Sequence, residues 1–232
     1  MSITNSNANS QSKAMTFDDI DEAYERLGYG AGWTFMMTKE ARLLDAKVCL
    51  VGLNPGGSDD GDESYDRVWS SEQGNAYYCE MWNTSHNKKV LSPLQYQISL
   101  LDSLIQQGPD DYFAAQFIPF RSPDLKRLTN SVEAIEFGKK LWTWVLSQSP
   151  AKLFLCLGQE AASAIAGLIG STQAQECFDS GWGEVTIGRY VGTNGRVVVR
   201  LPHLSRFQIF GRANGDSDKA IASLAQACRS AD

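Results

Sequence analysis

Two apolar runs stand out along the chain, the second of them with a single arginine, Arg200, and each breaks abruptly into a polar turn. Residues 48–53 run into Asn54-Pro55-Gly56, and residues 197–201 run into Pro202-His203. A short unbroken apolar run is typical of a strand buried on both faces, as in a parallel sheet. Because open α/β sheets bind ligands beyond the carboxyl ends of their strands, we expect Asn54 and His203 to lie where such a fold places its chemistry.

The rest of the pattern alternates between helices and strands. It predicts helices over 16–27, from after residue 33 to about 44, and over 93–107, 131–146, 159–169 and about 217–229. It predicts strands over 47–53, 112–120 and 152–157, and residues 184–191 and 196–201 flank Gly-Thr-Asn-Gly as a β-hairpin would. This alternation indicates an α/β fold with a mostly parallel sheet and helices on both faces.

Length and composition suit one domain with a full core. The chain has 232 residues, of which 43% are apolar and 21% charged. We expect a disordered leader over 1–15, rich in Ser, Asn and Gln, and a single domain over 16–232. The leader lacks the apolar segment of a secretory signal, and no apolar run is long enough to cross a bilayer.

Cysteine spacing and charge limit the classes of function. The five cysteines are dispersed without a CxxC pair, which favours reduced thiols, a cytoplasmic setting and no iron–sulfur or zinc site. The net charge of −6 argues against non-specific coating of nucleic acid. The charge is polarised, because residues 185–215 hold five arginines and no acid, whereas residues 59–66 hold five carboxylates.

Each candidate residue has an ordinary structural interpretation beside a functional one. Asn54 with Pro55 and two glycines is either turn chemistry or a loop that lets a ligand approach the backbone. His203 is either a hydrogen-bonded structural residue or a donor, placed beside a hydroxyl, a guanidinium and an aromatic ring in His-Leu-Ser-Arg-Phe. Neither a Walker loop nor a dinucleotide fingerprint is present.

Gly52-Leu53-Asn54-Pro55-Gly56 resembles the first motif of the uracil-DNA glycosylase superfamily, in the Asn form of its mismatch-specific and single-strand-selective branches. Pro202-His203-Leu204-Ser205-Arg206 resembles the second motif, usually His-Pro-Ser-Pro, and departs from it at Leu204 and Arg206. Residues 116–121 resemble the second-strand segment, with Gln116 where Asn is common. The resemblance spans about 47–210 and implies three α/β/α layers around a mostly parallel four-stranded sheet.

The resemblance also implies an activity, hydrolysis of the N-glycosidic bond of a flipped base without a cofactor or metal. Asn54 would hold the water and His203 would donate a hydrogen bond to the leaving base. The base would contact Leu53, Pro55, Gln116, Tyr77 and Tyr78, although core packing explains the two tyrosines equally well. The implied DNA contacts are Ser205, Arg206, Phe207 as a wedge, Arg121, Arg200 and Arg212.

The target and the setting stay open at this stage. The expected partner is duplex or single-stranded DNA with a damaged or modified base, bound by a monomer away from membranes. The carboxylates of residues 59–66 form either a solvated loop or acceptors for the hydroxyls of a bulky phage base, so repair and antiviral defence both fit. Two alternatives remain: a non-catalytic module that binds modified DNA, and a hydrolase of free nucleosides or nucleotides.

Overall fold

The computed structural model describes residues 14–57, 66–80, 82–83 and 89–229. Most of the expected leader and the acidic residues 59–65 lie outside these ranges. The described helices are α1 (Phe17–Leu27), α2 (Arg42–Asp45), α3 (Ala76–Cys79), α4 (Pro93–Ile105), α5 (Ser131–Gln148), α6 (Gln159–Leu168) and α7 (Asp216–Arg229). The described strands are β1 (Trp33–Met36), β2 (Val48–Gly52), β3 (Arg67–Ser70), β4 (Trp82–Asn83), β5 (Lys89–Val90), β6 (Phe113–Gln116), β7 (Leu153–Leu157), β8 (Glu176–Trp182), β9 (Val185–Val191) and β10 (Val197–Leu201).

The main sheet has the strand order β3-β1-β6-β2-β7-β10-β9-β8. Its four central strands, β6, β2, β7 and β10, are mutually parallel. On one side β1 is antiparallel to β6, and on the other β9 and β8 continue as antiparallel neighbours. The α/β class is confirmed, but the expectation of a four-stranded sheet is wrong, because the sheet is mixed and has eight strands among the described residues.

Helices cover both faces of the central strands, which explains their unbroken apolar sequences. In β2, Cys49 and Val51 join the core beneath α1, α5 and α6, whereas Val48 and Leu50 join the core beneath α3, α4 and α7. Every residue of β2, β6 and β7 is buried. Burial of both faces stabilises these strands by the hydrophobic effect, at about 25 cal/mol per Å² of apolar surface.

Helix starts follow the local sequence. Thr16 caps α1 and forms a reciprocal capping box with Asp19, as its position before the apolar pattern predicts. Ser92 does the same for α4 with Gln95, and Pro93 occupies the first turn, where its missing N–H costs nothing. The hairpin predicted around residues 192–195 is confirmed, since β9 and β10 pair antiparallel across it.

Besides β3, α3, β4 and β5, for which the sequence predicted no elements, two segments differ from the sequence prediction. The helix expected from after residue 33 to about 44 is wrong over its first part, because Trp33–Met36 forms β1. All four of its residues are buried, and a Trp-Thr-Phe sequence suits a packed strand better than a helix. The second difference is β8, a polar strand that the apolar pattern did not indicate.

The described helices include none long and apolar enough to cross a membrane.

Candidate active site at the carboxyl edge of the sheet

The carboxyl ends of the four parallel strands lie at one edge of the sheet, and both motif residues follow such ends. Asn54 comes two residues after β2, and His203 comes two residues after β10. Because β7 lies between these strands, their ends are two strand spacings apart, or roughly 10 Å. The structure therefore brings Asn54 and His203 to the same edge, on either side of the end of β7.

Two backbone carbonyls orient the side chain of Asn54. Its Nδ2 atom donates to the carbonyl of Ser122 at 2.8 Å and to that of Pro55 at 3.0 Å. Both amide hydrogens are thereby used, and the remaining hydrogen-bonding atom is the acceptor Oδ1. Pro55 is buried and Leu53 packs against the core beneath α1, α5 and α6, so the loop around Asn54 is anchored on both sides.

Gln116 ends β6 directly beside Gly52, its partner in the sheet register. The Gln116 carboxamide lies so close to Gly52 that a Cβ atom at position 52 would overlap Oε1. Gln116 is only 5% exposed, and no donor within the described ranges reaches its Oε1 atom. A buried acceptor without a partner costs about 1–3 kcal/mol, so this oxygen is a polar position that the described residues leave unsatisfied.

Tyr77, at the start of α3, is buried on the same face as Gln116. Burial raises the pKa of Tyr77 to about 12, opposed in part by a hydrogen bond with the Gln116 side chain. The Asn75 side chain accepts from the backbone N–H of Tyr77 at 3.0 Å and so fixes the start of this short helix. Tyr77 and Gln116 therefore form a buried contact beneath the carboxyl edge of the sheet.

Tyr78 is directed elsewhere. Its hydroxyl donates to Oδ2 of Asp102, which also accepts from the Tyr112 hydroxyl at 3.3 Å. Desolvation raises the pKa of the buried Asp102 carboxyl to about 6, although both tyrosine hydrogen bonds lower it. The structure thus separates the neighbouring tyrosines: one faces the carboxamide at the sheet edge, and the other belongs to a buried network behind α3.

A tight turn presents His203. Its carbonyl accepts from the backbone N–H groups of Arg206 and Phe207 at 3.0 and 2.9 Å, and Leu204 is fully buried beneath the turn. The Ser205 hydroxyl lies 2.8 Å from Nδ1, so Nε2 is the ring nitrogen left for a ligand. Desolvation by surrounding atoms lowers the pKa of His203, and the Glu160 carboxylate raises it to a smaller extent. The neutral imidazole therefore dominates at pH 7.

Two of the expected DNA-contacting arginines are hydrogen-bonded inward. Arg121 donates to the carbonyl of Gly56 at 3.0 Å and to Thr34 Oγ1 at 2.9 Å, and thus supports the loop that holds Asn54. Arg200 donates to Gln159 Oε1 and to both oxygens of Thr186. These contacts place both guanidiniums in supporting positions beside the site.

The other expected DNA contacts lie together at the surface near His203. Arg206 lies over the ring of Phe207, and Arg212 lies over the ring of Trp182, at the end of β8. The apolar pattern did not indicate β8, and Trp182 was therefore not identified as a candidate site residue. The signal that could have found it is the Ser-Gly-Trp-Gly sequence before an apolar strand, which suits a hairpin tip.

A cavity of about 240 Å³ opens beside the Asn54 loop. Gly57, Arg121 and Ser122 line one side, and residues 28–31 line another. Within the described residues, no three side chains of the His, Cys, Asp or Glu type converge as metal ligands would. The polar groups at this edge are the oriented amide of Asn54, the neutral imidazole of His203 and the buried carboxamide oxygen of Gln116.

No protein-family model matches the chain, and the search of curated proteins finds no match either.

Proposed function

We propose that the protein is a monofunctional DNA glycosylase that hydrolyses the N-glycosidic bond of a flipped uracil-like or modified pyrimidine and leaves an abasic site. One observation carries the proposal: Asn54 and His203 follow parallel strands on either side of β7, at the edge where Gln116 keeps a buried, unpartnered oxygen. This set can hold a water, a leaving group and a base edge. The finer fold expectation, a uracil-DNA glycosylase-like core formed by β6, β2, β7 and β10, belongs to the same proposal.

Asn54 is the proposed water-binding residue. Since Nδ2 donates to two carbonyls, Oδ1 can accept a hydrogen bond from a water and fix its position. An amide is too weak a base to deprotonate that water early in the reaction. The glycosidic bond must therefore break far ahead of water attack, with charge developing on the sugar as an oxocarbenium-like species and on the departing base.

His203 is the proposed donor to the departing base. A Ser205 hydroxyl that donates to Nδ1 leaves the ring proton on Nε2, directed away from the turn. A neutral imidazole can stabilise developing negative charge on the base oxygen without first losing a proton. Removing one such preorganised donor typically costs about 3 kcal/mol, or roughly a hundredfold in rate.

Gln116 and Tyr77 are the proposed base-recognition residues. The unpartnered Oε1 atom of Gln116 accepts from a donor on the base edge, such as an imino or exocyclic amino group. Tyr77 packs beside it and supplies an aromatic surface. Gln is one methylene longer than Asn, so the site favours a base whose donor lies at a different depth from that of uracil.

The direct test is a panel of oligonucleotides that carry uracil, mismatched bases or glucosylated hydroxymethylcytosine, and of phage genomes with modified bases. Each is incubated with protein and then with alkali, which cleaves abasic sites. We expect strand cleavage for at least one modified pyrimidine and its loss in Asn54→Ala and His203→Ala. DNA binding without abasic sites across the panel would favour the non-catalytic module, and release of base from free nucleosides alone would favour the nucleoside hydrolase.

A further inference from the structure

An exposed aromatic residue beside the His203 turn is on a strand that none of the resembling motifs contains. Trp182 ends β8 and is 41% exposed. Its ring packs edge-on against Phe207 with centroids 5.9 Å apart. The guanidinium of Arg212 lies 4.8 Å from the centre of the Trp182 ring, and that of Arg206 lies 5.3 Å from the centre of the Phe207 ring. Together these four residues form a surface that we call the Trp182 platform.

The topology brings the platform to the edge that holds His203. β9 is antiparallel to β10, and β8 is antiparallel to β9. The carboxyl ends of β8 and β10 therefore lie at the same edge of the sheet, with the start of β9 between them. The ring contact between Trp182 and Phe207 places the hairpin tip beside the turn that follows β10. Phe207 joins the two features directly, because its backbone N–H donates to the His203 carbonyl while its ring contacts Trp182.

We propose that the Trp182 platform stacks on an unpaired base that neighbours the flipped nucleotide, and that its arginines hold the adjoining phosphates. This inference depends on the proposed function for the position of the flipped nucleotide. Bases stack on exposed aromatic rings in single-stranded DNA sites, and arginines beside the rings add attraction to the backbone. A base inside an intact duplex already stacks on both neighbours, so the platform favours a strand that is locally unpaired.

Local contacts hold the platform in place before a ligand arrives. The Trp182 Nε1–H donates to the Gln208 carbonyl at 3.3 Å, which ties the hairpin tip to the segment after His203. Arg212 and Asn214 pack against Gly181, where φ is +73° and a side chain would meet their polar atoms at 3.0–3.2 Å. At the base of the tip, the buried Ser217 hydroxyl donates to the Ser180 carbonyl at 2.9 Å. Preorganised side chains lose less conformational entropy on binding.

The two arginines of the platform favour a partner that carries phosphate groups, such as DNA. Residues 185–215 carry five arginines and no acid, and two of these arginines lie over the platform rings. Acidic side chains also lie beside the platform, with Glu184 in the hairpin turn. Asp179 accepts from the backbone N–H of Gly181, and Asp218 accepts from that of Gly211. The chain as a whole has a net charge of −6, so attraction to a phosphate backbone at this edge depends on direct contacts with Arg206 and Arg212.

The test measures binding rather than catalysis. Fluorescence anisotropy gives the Kd of a short single-stranded oligodeoxynucleotide without any target base, and of the matched duplex. We expect Trp182→Ala to weaken single-strand binding about tenfold, in line with the loss of one stacked base, and to change duplex binding less. Trp182→Phe should retain most of the affinity. Tyr96→Ala, which removes an exposed aromatic ring on α4, is the matched control and should change the Kd less than about twofold.

Photocrosslinking locates the contacted base. A 5-iododeoxyuridine placed beside the target nucleotide should crosslink to the peptide that contains Trp182. Wild-type single-strand affinity in Trp182→Ala, an equal loss in Tyr96→Ala, or crosslinks confined to other peptides would overturn the platform. Base release without any effect of Trp182 would leave the glycosylase proposal standing alone, and Trp182-dependent binding without base release would leave the platform standing alone.

Discussion

Gly52 and Gln116 occupy paired positions on neighbouring strands, and the carboxamide of Gln116 fills the space in which a side chain on residue 52 would stand. We predict that Gly52→Ala displaces this carboxamide, destabilises the fold by about 1–3 kcal/mol through overpacking, and alters base selectivity more than DNA affinity. Chemical denaturation and base release on two competing substrates measure the two effects. Wild-type stability and selectivity in Gly52→Ala would show that neither property depends on the position of the Gln116 carboxamide.

A double-mutant cycle separates this contact from general damage to β2. If the clash with Gln116 causes the loss, Gly52→Ala combined with Gln116→Ala should be less destabilised than the sum of the single variants. Residues in contact typically show an interaction energy of about 0.5–3 kcal/mol. Strict additivity would mean that residue 52 destabilises the protein in another way.

The amide of Asn54 also makes a pH-dependent prediction. In Asn54→Asp, a carboxylate would face the carbonyls of Pro55 and Ser122, which now accept hydrogen bonds from Nδ2. The folded state should raise the pKa of the new carboxyl above its unfolded value of about 3.9, because only the protonated form can donate. The variant should therefore lose stability relative to wild type as the pH rises through that folded-state pKa. Equal stability differences at pH 4 and pH 8 would contradict the assigned amide orientation.

His203 can be titrated directly, because the chain has only two histidines. In a His86→Gln background, proton NMR should give a pKa for His203 below its usual 6.5, since desolvation lowers it. Glu160→Gln should lower the pKa further, because the Glu160 carboxylate raises it. A pKa above 6.5, or no response to Glu160→Gln, would place the ring in a different environment. Arg127→Gln offers a matched surface control.

The buried Asp102 should affect stability in the opposite sense from most carboxylates. Its pKa is raised to about 6, mainly by desolvation, so its contribution is greatest below about pH 4 and is lost as the pH rises toward 6. Asp102→Asn should remove this loss of stability. A pKa shift of about two units corresponds to about 2 kcal/mol in the free energy of unfolding, after an allowance for relaxation around the charged group. Urea denaturation of both proteins between pH 4 and pH 8 measures it. Parallel stability curves would show that Asp102 is ionised without penalty.

The central strands could be predicted because both of their faces are buried. The strands β2, β6 and β7 are buried at every position, and β10 is buried at every position except Arg200, so the apolar pattern alone indicates their place in the sheet. The placement of Asn54 and His203 follows from this, since both residues come directly after such runs. The outer strands are different: β8 is polar and depends on pairing with β9, which local sequence does not reveal.

Side-chain direction was the part of the site that sequence could not provide. Arg121 and Arg200 stand in segments that suggested phosphate contacts, yet inward hydrogen bonds with Thr34 and Gln159 hold them. Tyr77 and Tyr78 are neighbours in sequence, and only their positions on α3 decide which faces Gln116. Such choices depend on partners more than 20 residues away along the chain.

Single-turnover base release tests directly whether Asn54 and His203 act in one reaction. The proteins compared are wild type, Asn54→Ala, His203→Ala and the double variant, on a substrate identified in the panel. We expect each single variant to be slower by at least about a hundredfold, with unchanged circular dichroism and DNA affinity. Wild-type rates in both single variants would contradict this, because neither side chain would then contribute to base release.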